Sequence, residues 1–130
     1  MNESTRRWFD EQLEWVLARM PARVHELLDE VPLYVEDHPP RKLLRQLGVH
    51  RRDQLCGLYT GIPLTERRVE ASGVLSDAIR IYREGILATA TDPHGALDVA
   101  ELRRQIRITI LHELAHHHGL DEAELRDLGY

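Results

Sequence analysis

The stretch from Asp98 to Gly119 constrains the fold most, because it predicts one long and largely buried helix. Asp98 is a typical helix N-cap residue, and Glu101 three residues later completes a capping-box pattern. Gly119 follows the last helical turn, where a glycine can adopt the left-handed conformation that ends a helix. Between these ends runs an apolar stripe with four-residue spacing, formed by Leu102, Ile106, Ile110 and Leu114. The sequence therefore predicts a central helix against which the rest of the domain packs.

The end of this helix carries two histidines and a glutamate in otherwise apolar surroundings. Residues four apart lie on one face of a helix, so His112 and His116 can bind the same metal ion. Glu113 points to the same side and can activate a water molecule. Because buried polar groups without partners are costly, a metal ion explains these side chains better than chance does. We therefore predict that Zn²⁺ binds His112 and His116, with Glu113 as the general base.

A third ligand is expected after the helix ends, because catalytic zinc usually has three protein ligands and one position open to water. In a continuous helix, Asp121 and Glu122 would lie about 8–9 Å beyond His116 along the axis. A chain reversal at Gly119 can instead return an acidic residue two or three positions later to the metal. Asp121 and Glu122 are therefore the candidate third ligands.

The extended pattern resembles a known family. His112-Glu113-x-x-His116-x-x-Gly119-x-x-Glu122 and the closing Leu128-Gly129-Tyr130 are similar to the small bacterial zincin-like metallopeptidases. The segments Gly57 to Arg67 and Glu36 to Pro39 also resemble that family, so the similarity covers nearly the whole chain. It implies a minimal zincin domain that hydrolyses peptide or protein substrates.

The family pattern has Asp where this chain has Glu122, with Asp121 just before it. Glu122 has the family's position relative to His116, whereas Asp121 has the family's residue type; we predict Glu122.

Tyr130 is a candidate oxyanion donor, or a terminal residue that only packs. Thr109 can hydrogen-bond next to the metal ligands, or bond the backbone of its own helix.

Two related groups of zincins, the metzincins and the gluzincins, are less consistent with the sequence. Metzincins have a methionine turn after the metal helix, but Met1 and Met20 are the only methionines here. Gluzincins take a ligand from a further helix downstream, and only fourteen of the 130 residues follow His116. His117 and His118 point to other faces of the helix, so surface or interface positions are expected for them.

Length and composition limit the number of domains, the partners and the compartment that we expect for the protein. A length of 130 residues fits a single domain, residues 1–130, with its own core. The net charge of −5 argues against nucleic acid as a partner. No segment approaches the ~18 apolar residues of a membrane span, and the polar N-terminus does not resemble a secretory signal. A cytoplasmic protein is expected, and its oligomeric state is open.

Apolar periodicity outlines an α+β domain, a reduced zincin-like layout with N-terminal helices, a small three-stranded sheet and a central C-terminal metal-binding helix. The predicted elements are helices at Thr5–Met20, Pro21–Asp29 and Lys42–Leu47, strands at Leu33–Val35, Leu55–Thr60 and Asp77–Arg83, and loops at Glu66–Ser76 and Ala88–Gly95. Pro21 either kinks the first helix or opens a second one. In zincins a peptide commonly pairs with an edge strand, and Asp77–Arg83 is our candidate for it.

Two functions are consistent with these patterns. The first is a zinc metallopeptidase, and the alternative is a non-catalytic zinc-binding interaction module that retains the zincin fold. The intact Glu113 favours the enzyme, because a structural zinc site closed by four protein ligands needs no base. Adventitious binding of nickel or copper by the cluster from His112 to His118 is a third, weaker interpretation.

Overall fold

The computed structural model describes residues 1–61 and 77–130. In these residues the elements are α1 (Glu3–Ala18), α2 (Ala22–Glu30), β1 (Leu33–Glu36), α3 (Arg41–Leu47), a 3₁₀ turn (Arg52–Gln54), β2 (Gly57–Thr60), β3 (Ala78–Tyr82), α4 (Arg83–Ala90), α5 (Val99–His118) and α6 (Glu122–Asp127). The predicted α+β class is confirmed. The loop predicted at Glu66–Ser76 and part of the segment from Gly57 to Arg67 lie outside the described residues.

The three strands form one sheet in the order β1-β3-β2. β1 runs parallel to β3, and β2 runs antiparallel to it. In this register Ile79 of β3 lies between Leu33 and Tyr59, and Ile81 lies between Val35 and Gly57. These opposed residues share one face of the sheet.

The prediction that Asp77–Arg83 forms the edge strand is therefore wrong, because β3 is the central strand. Alternation of apolar and polar residues identifies a strand, but it does not report which neighbours pair with it. In β3 only Arg80 is partly exposed, whereas Ala78, Ile79, Ile81 and Tyr82 are all buried. Among the described strands, β1 and β2 form the two edges.

Backbone chemistry explains several of the boundaries. Pro21 does not kink one long helix but precedes a separate helix, α2, as its N-cap residue. Gly48 ends α3 with a φ of 69°, the left-handed conformation that glycine adopts at little cost. Pro21 thus takes the second of the two roles that the sequence left open.

Helix α4 corrects another prediction. Arg83 follows β3 directly and begins the helix, so Ala88 to Ala90 are helical and not the start of a loop. Gly85 lets α4 approach the backbone before β2, because a Cβ atom there would overlap the carbonyl of Leu55. The helix is only eight residues long, and that long-range contact has no signature in the local sequence.

Helix α5 is the centre of the domain, as predicted. It contacts α1, α2, α4, α6 and two of the strands, β2 and β3. Its apolar stripe is fully buried: Leu102, Ile106, Ile110 and Leu114 each have 0% exposure. Asp98 caps the helix by accepting a 3.1 Å hydrogen bond from the backbone N–H of Ala100. Within the described residues, no helix is long and apolar enough to span a membrane.

A partly buried ion-pair cluster ties α1 and α4 to the end of β1. Arg83 donates to Asp10 at 2.9 Å and to Asp37 at 2.8 Å, and Arg6 donates to Asp37 at 2.7 Å. Hydrogen bonds and positive charge from Arg6, and then from Arg83, lower the pKa of Asp37 to about 2. Asp37 is therefore a charged carboxylate throughout the neutral range.

Candidate metal centre

The last turns of α5 bring His112, Glu113 and His116 together. One potential ligand atom from each lies within 4.8 Å of those of the other two. The two imidazole rings meet edge to face with their centroids 4.5 Å apart. His112 and His116 are exposed, whereas Glu113 is 4% exposed. The four-residue spacing thus brings the three side chains together. The expectation that all three are buried holds only for Glu113, because the two imidazoles are exposed.

Burial sets the protonation of this group. Loss of hydration raises the pKa of Glu113 to about 7, because a carboxylate loses more hydration free energy than a carboxylic acid. The pKa of His116 is lowered by burial and then by the charge of His112. His116 therefore favours the neutral imidazole, the form that binds metal. Near neutral pH, Glu113 is poised to take up or release a proton.

Strand β2 lies directly against the side chain of Glu113. Gly57 has no side chain, and a Cβ atom there would lie 2.8 Å from Cγ2 of Thr109 and 3.3 Å from Cγ of Glu113. Both distances are shorter than ordinary van der Waals contact, so only glycine allows this approach of strand and helix without displacement. Of the described strands, the edge strand beside the candidate metal centre is therefore β2.

Thr109 follows one of the two alternatives that the sequence left open. Its hydroxyl donates a 2.7 Å hydrogen bond to the carbonyl of Gln105, in the preceding turn of the same helix. Its methyl group faces Gly57. Thr109 thus contributes packing beside Glu113, and its hydroxyl is bound to its own helix.

His117 and His118 are not surface residues, and that expectation was wrong. His117 is 2% exposed, and its Nδ1 lies 3.1 Å from the hydroxyl of Tyr59 and 3.4 Å from a carboxylate oxygen of Asp77. The His118 side chain is 7% exposed, with its Nδ1 3.7 Å from Glu30 of α2. The cause is that α5 is covered on several sides, so a turn ending in three histidines still packs against the sheet and α2.

His117, His118 and Glu30 form a second set of potential ligand atoms within 4.8 Å of one another. Both imidazoles of this set are buried between packed elements, unlike those of His112 and His116. Burial also lowers the pKa of His118. No pattern in the sequence identified this set, because Glu30 lies far from the histidines along the chain.

The candidate third ligands follow the predicted chain reversal. Gly119 ends α5 with a φ of 67°, and α6 begins at Glu122. Asp121 caps α6, since its Oδ1 accepts a 2.8 Å hydrogen bond from the N–H of Glu124. Glu122 is exposed. Both carboxylates lie outside the set formed by His112, Glu113 and His116.

Tyr130, the candidate oxyanion donor, is half exposed at 49%. Its neighbour Gly129 accepts a 3.1 Å hydrogen bond from Nε of Arg107. Arg107 precedes His112 by five residues, which is about 140° around the helix. The chain end is thus attached to a different side of α5 from His112.

His112 and His116 fit two of the ligand positions of a zinc ion. Two imidazoles and one or more carboxylates are the ligand types that zinc takes in hydrolases. The exposure of His112 and His116 leaves the site accessible to solvent and substrate. Because His116 favours its neutral form, its imidazole can donate a lone pair to zinc without first losing a proton at neutral pH.

Comparison with known proteins gives a consistent result. A family model described as zincin-like metallopeptidase matches residues 28–130. The match begins near the end of α2 and includes the sheet, α5 and α6. No match was found among curated proteins.

Proposed function

The chain belongs to the zincin-like metallopeptidase family. We propose that it is a zinc-dependent hydrolase of peptide bonds and that His112, Glu113 and His116 form its active site. The observation that carries this proposal is the grouping of two exposed imidazoles and a buried carboxylate on the last turns of α5. An accessible pair of ligands beside a buried base is the arrangement that hydrolysis requires.

In this proposal His112 and His116 hold the zinc ion, and Glu122 is the third ligand. Asp121 remains the alternative, but its carboxylate already caps α6, so metal binding would compete with that hydrogen bond. Glu122 makes no such hydrogen bond in the described part of the chain and sits just beyond the reversal at Gly119. The chemistry that zinc supplies is Lewis acidity toward water and the scissile carbonyl.

Glu113 acts as the general base and then as the general acid. Its carboxylate takes a proton from the attacking water and returns it to the nitrogen of the leaving amine. A base works best when its pKa is near the working pH. In the metal-free chain burial raises the pKa of Glu113 to about 7, and the charge of a bound zinc ion would lower it from there. Its Oε1 lies 3.2 Å from Nδ1 of His116, so the base is beside the proposed ligands.

Strand β2 is the proposed docking edge for an extended peptide. Its Gly57 contacts Thr109 and lies against Glu113, whereas β3 is paired on both sides and offers no edge. A peptide that hydrogen-bonds along β2 would pass the end of α5 next to the base. This replaces our sequence-based candidate, Asp77–Arg83.

The test combines metal analysis with cleavage of a peptide library. We expect one equivalent of zinc per chain and cleavage that a chelator abolishes and zinc restores. His116→Ala should lose both zinc and cleavage. His25→Ala is the matched control, because His25 is exposed on α2 and distant from the proposed ligands in sequence. Zinc bound by the His116→Ala protein as tightly as by the unmodified protein would contradict the assignment.

The alternative function, a non-catalytic zinc-binding interaction module, predicts a different result in the same experiment. Such a module would bind one equivalent of zinc and cleave no peptide in the library. A structural site would also be closed by four protein ligands, which conflicts with the exposure of His112 and His116. We therefore favour the peptidase.

A further inference from the structure

The described arginines differ in whether a carboxylate pairs with them. Many are paired with carboxylates, as Arg23 is with Glu26 at 3.1 Å and Arg52 is with Glu84 at 2.8 Å. Four others gather on one side of the molecule with no carboxylate oxygen of the described residues within 4.0 Å. We call this side the arginine cleft; Arg19, Arg107 and Arg126 line it, and Arg103 lies beside it against Trp15.

Trp15 holds two of these charges together. The guanidinium carbons of Arg19 and Arg103 each lie 3.8 Å from the centroid of its ring. Attraction between a cation and an aromatic ring offsets part of the repulsion between the two arginines. Arg103 also donates to Gln12 and Arg19 to the carbonyl of Trp15, so both guanidinium groups are positioned by the protein.

The cleft itself has a volume of about 420 Å³ and lies between the end of α1, α5 and the end of α6. Its floor is apolar, formed by the buried side chains of Val16, Met20 and Leu128. Arg19, Arg107 and Arg126 line its sides, and Asp127 is the one acidic residue among the described residues that line it. A positive surface of this kind stands out on a chain whose net charge is −5.

The cleft is separate from the candidate metal centre. Arg103 and Arg107 precede His112 by nine and five residues, which places them about 180° and 140° around α5 from it. A ligand in the cleft would therefore not contact His112. The charges of the cleft are not used by the proposed hydrolysis.

We propose that the arginine cleft binds an extended acidic segment of a partner protein. Arg103 and Arg107 are separated by about 6 Å along α5, and alternate side chains of an extended peptide are about 6.6 Å apart. Carboxylates at alternate positions of such a segment therefore match successive arginines. Guanidinium groups bind carboxylates well because they are weakly hydrated and offer two parallel donors.

The distribution of the charges favours a peptide over a small anion. The guanidinium groups are carried by α5, by α6 and by the residue that follows α1, and a linear polyanion can contact several such groups along its length. This inference concerns a face of the protein outside the proposed active site, and it holds whether or not the protein is a peptidase.

The experiment measures fluorescence anisotropy of a labelled peptide that alternates glutamate and leucine, at low ionic strength, with the full-length protein. We expect saturable binding that weakens as salt is added, and the same affinity in zinc-stripped protein. The double variant Arg19→Ala/Arg126→Ala should bind about tenfold more weakly. A peptide that alternates lysine and leucine should not bind.

A matched control separates a site from general charge. Arg41→Ala/Arg45→Ala removes two exposed arginines of α3 that make no ion pair in the described residues, and it should leave the affinity unchanged within about twofold. Circular dichroism of both double variants monitors folding. Equal weakening in the two double variants would overturn the proposal, as would binding of tripolyphosphate without binding of the acidic peptide.

Discussion

Oε1 of Glu113 lies 3.2 Å from Nδ1 of His116, one exposed imidazole beside one buried carboxylate on the same helix. The backbone of α5 creates this contact, because residues three apart are neighbours on a helix surface. Burial makes the carboxylate basic enough to exchange protons near neutral pH. The same burial carries a cost in stability, which leads to the first prediction.

Replacing Glu113 should stabilise the zinc-free protein above neutral pH. The pKa of Glu113 is raised from 4.5 to about 7, so the folded chain holds a proton that the unfolded chain has released. Stability from this group is greatest below pH 4.5, falls as pH rises towards about 7, and stays low above it. Glu113→Gln removes this dependence.

Urea denaturation of zinc-free protein at pH 5 and pH 8 measures the effect. We compare the free energy of unfolding of the Glu113→Gln variant with that of the unmodified protein at each pH. From pH 5 to pH 8 this difference should shift by roughly 2–3 kcal/mol in favour of the variant. Glu14→Gln, an exposed substitution on α1, should gain nothing. Parallel stability curves for all three proteins would contradict the raised pKa.

The second prediction concerns Gly57→Ala. The added methyl group would meet Cγ2 of Thr109 at 2.8 Å and the carbonyl of Arg80 at 3.1 Å, so β2 must move away from α5. We expect a loss of about 1–3 kcal/mol in the free energy of unfolding, measured in urea.

A second substitution tests that explanation. Thr109→Ser removes Cγ2, the nearest atom, and keeps the hydroxyl that bonds to Gln105. The double variant should therefore be destabilised by less than the sum of the two single changes. Strict additivity would show that the methyl contact is not the cause.

The third prediction concerns acid unfolding. Arg6 and Arg83 lower the pKa of Asp37 from 3.8 to about 2, so the folded chain keeps this carboxylate charged where the unfolded chain takes up a proton. The resulting stability is fully present above pH 4 and is lost as pH falls through about 2. Solvent screening limits its size to the order of 1 kcal/mol.

Asp37→Asn removes this contribution and leaves Arg83 with Asp10 as its remaining partner. The variant should be less stable at pH 7, and the difference from the unmodified protein should shrink between pH 4 and pH 2. Circular dichroism at 222 nm during acid titration measures it. A difference that persists unchanged to pH 2 would rule out the ion pairs as its source.

The fourth prediction identifies the third ligand. If Glu122 binds zinc, Glu122→Gln should weaken zinc affinity about 10- to 100-fold, because a charged ligand is replaced by a neutral amide. Glu124→Gln is the control, since Glu124 is exposed on the same short helix. Competition with a chromogenic chelator gives both affinities.

Asp121→Asn distinguishes the alternative ligand. Asparagine also caps helices well, so this variant should keep α6 folded and retain zinc affinity. If the affinity falls with Asp121→Asn and not with Glu122→Gln, the ligand is Asp121.

Local patterns in the sequence predicted the long helix, its ends at Asp98 and Gly119, and the strands near Leu33 and Ile79. These features depend on periodicity and on the chemistry of caps, which involve neighbours in the chain. The same patterns identified His112, Glu113 and His116, because one turn of helix determines their arrangement.

Features that depend on distant partners were missed or misread. The central position of β3 depends on pairing with both β1 and β2, and the burial of His117 depends on Tyr59 and Asp77. Arg83 was expected at the end of a strand, yet it is 8% exposed and begins a helix. Its partners Asp10 and Asp37 are 73 and 46 residues away in the chain.

The measurement that tests the account most directly is peptide cleavage by zinc-loaded Glu113→Gln protein. Glutamine keeps the shape of the side chain but cannot take the proton of water, so zinc should bind and the cleavage rate should fall at least ~100-fold. Glu14→Gln should cleave at the unmodified rate. Full cleavage by the zinc-loaded Glu113→Gln protein would contradict the central claim that Glu113 is the base.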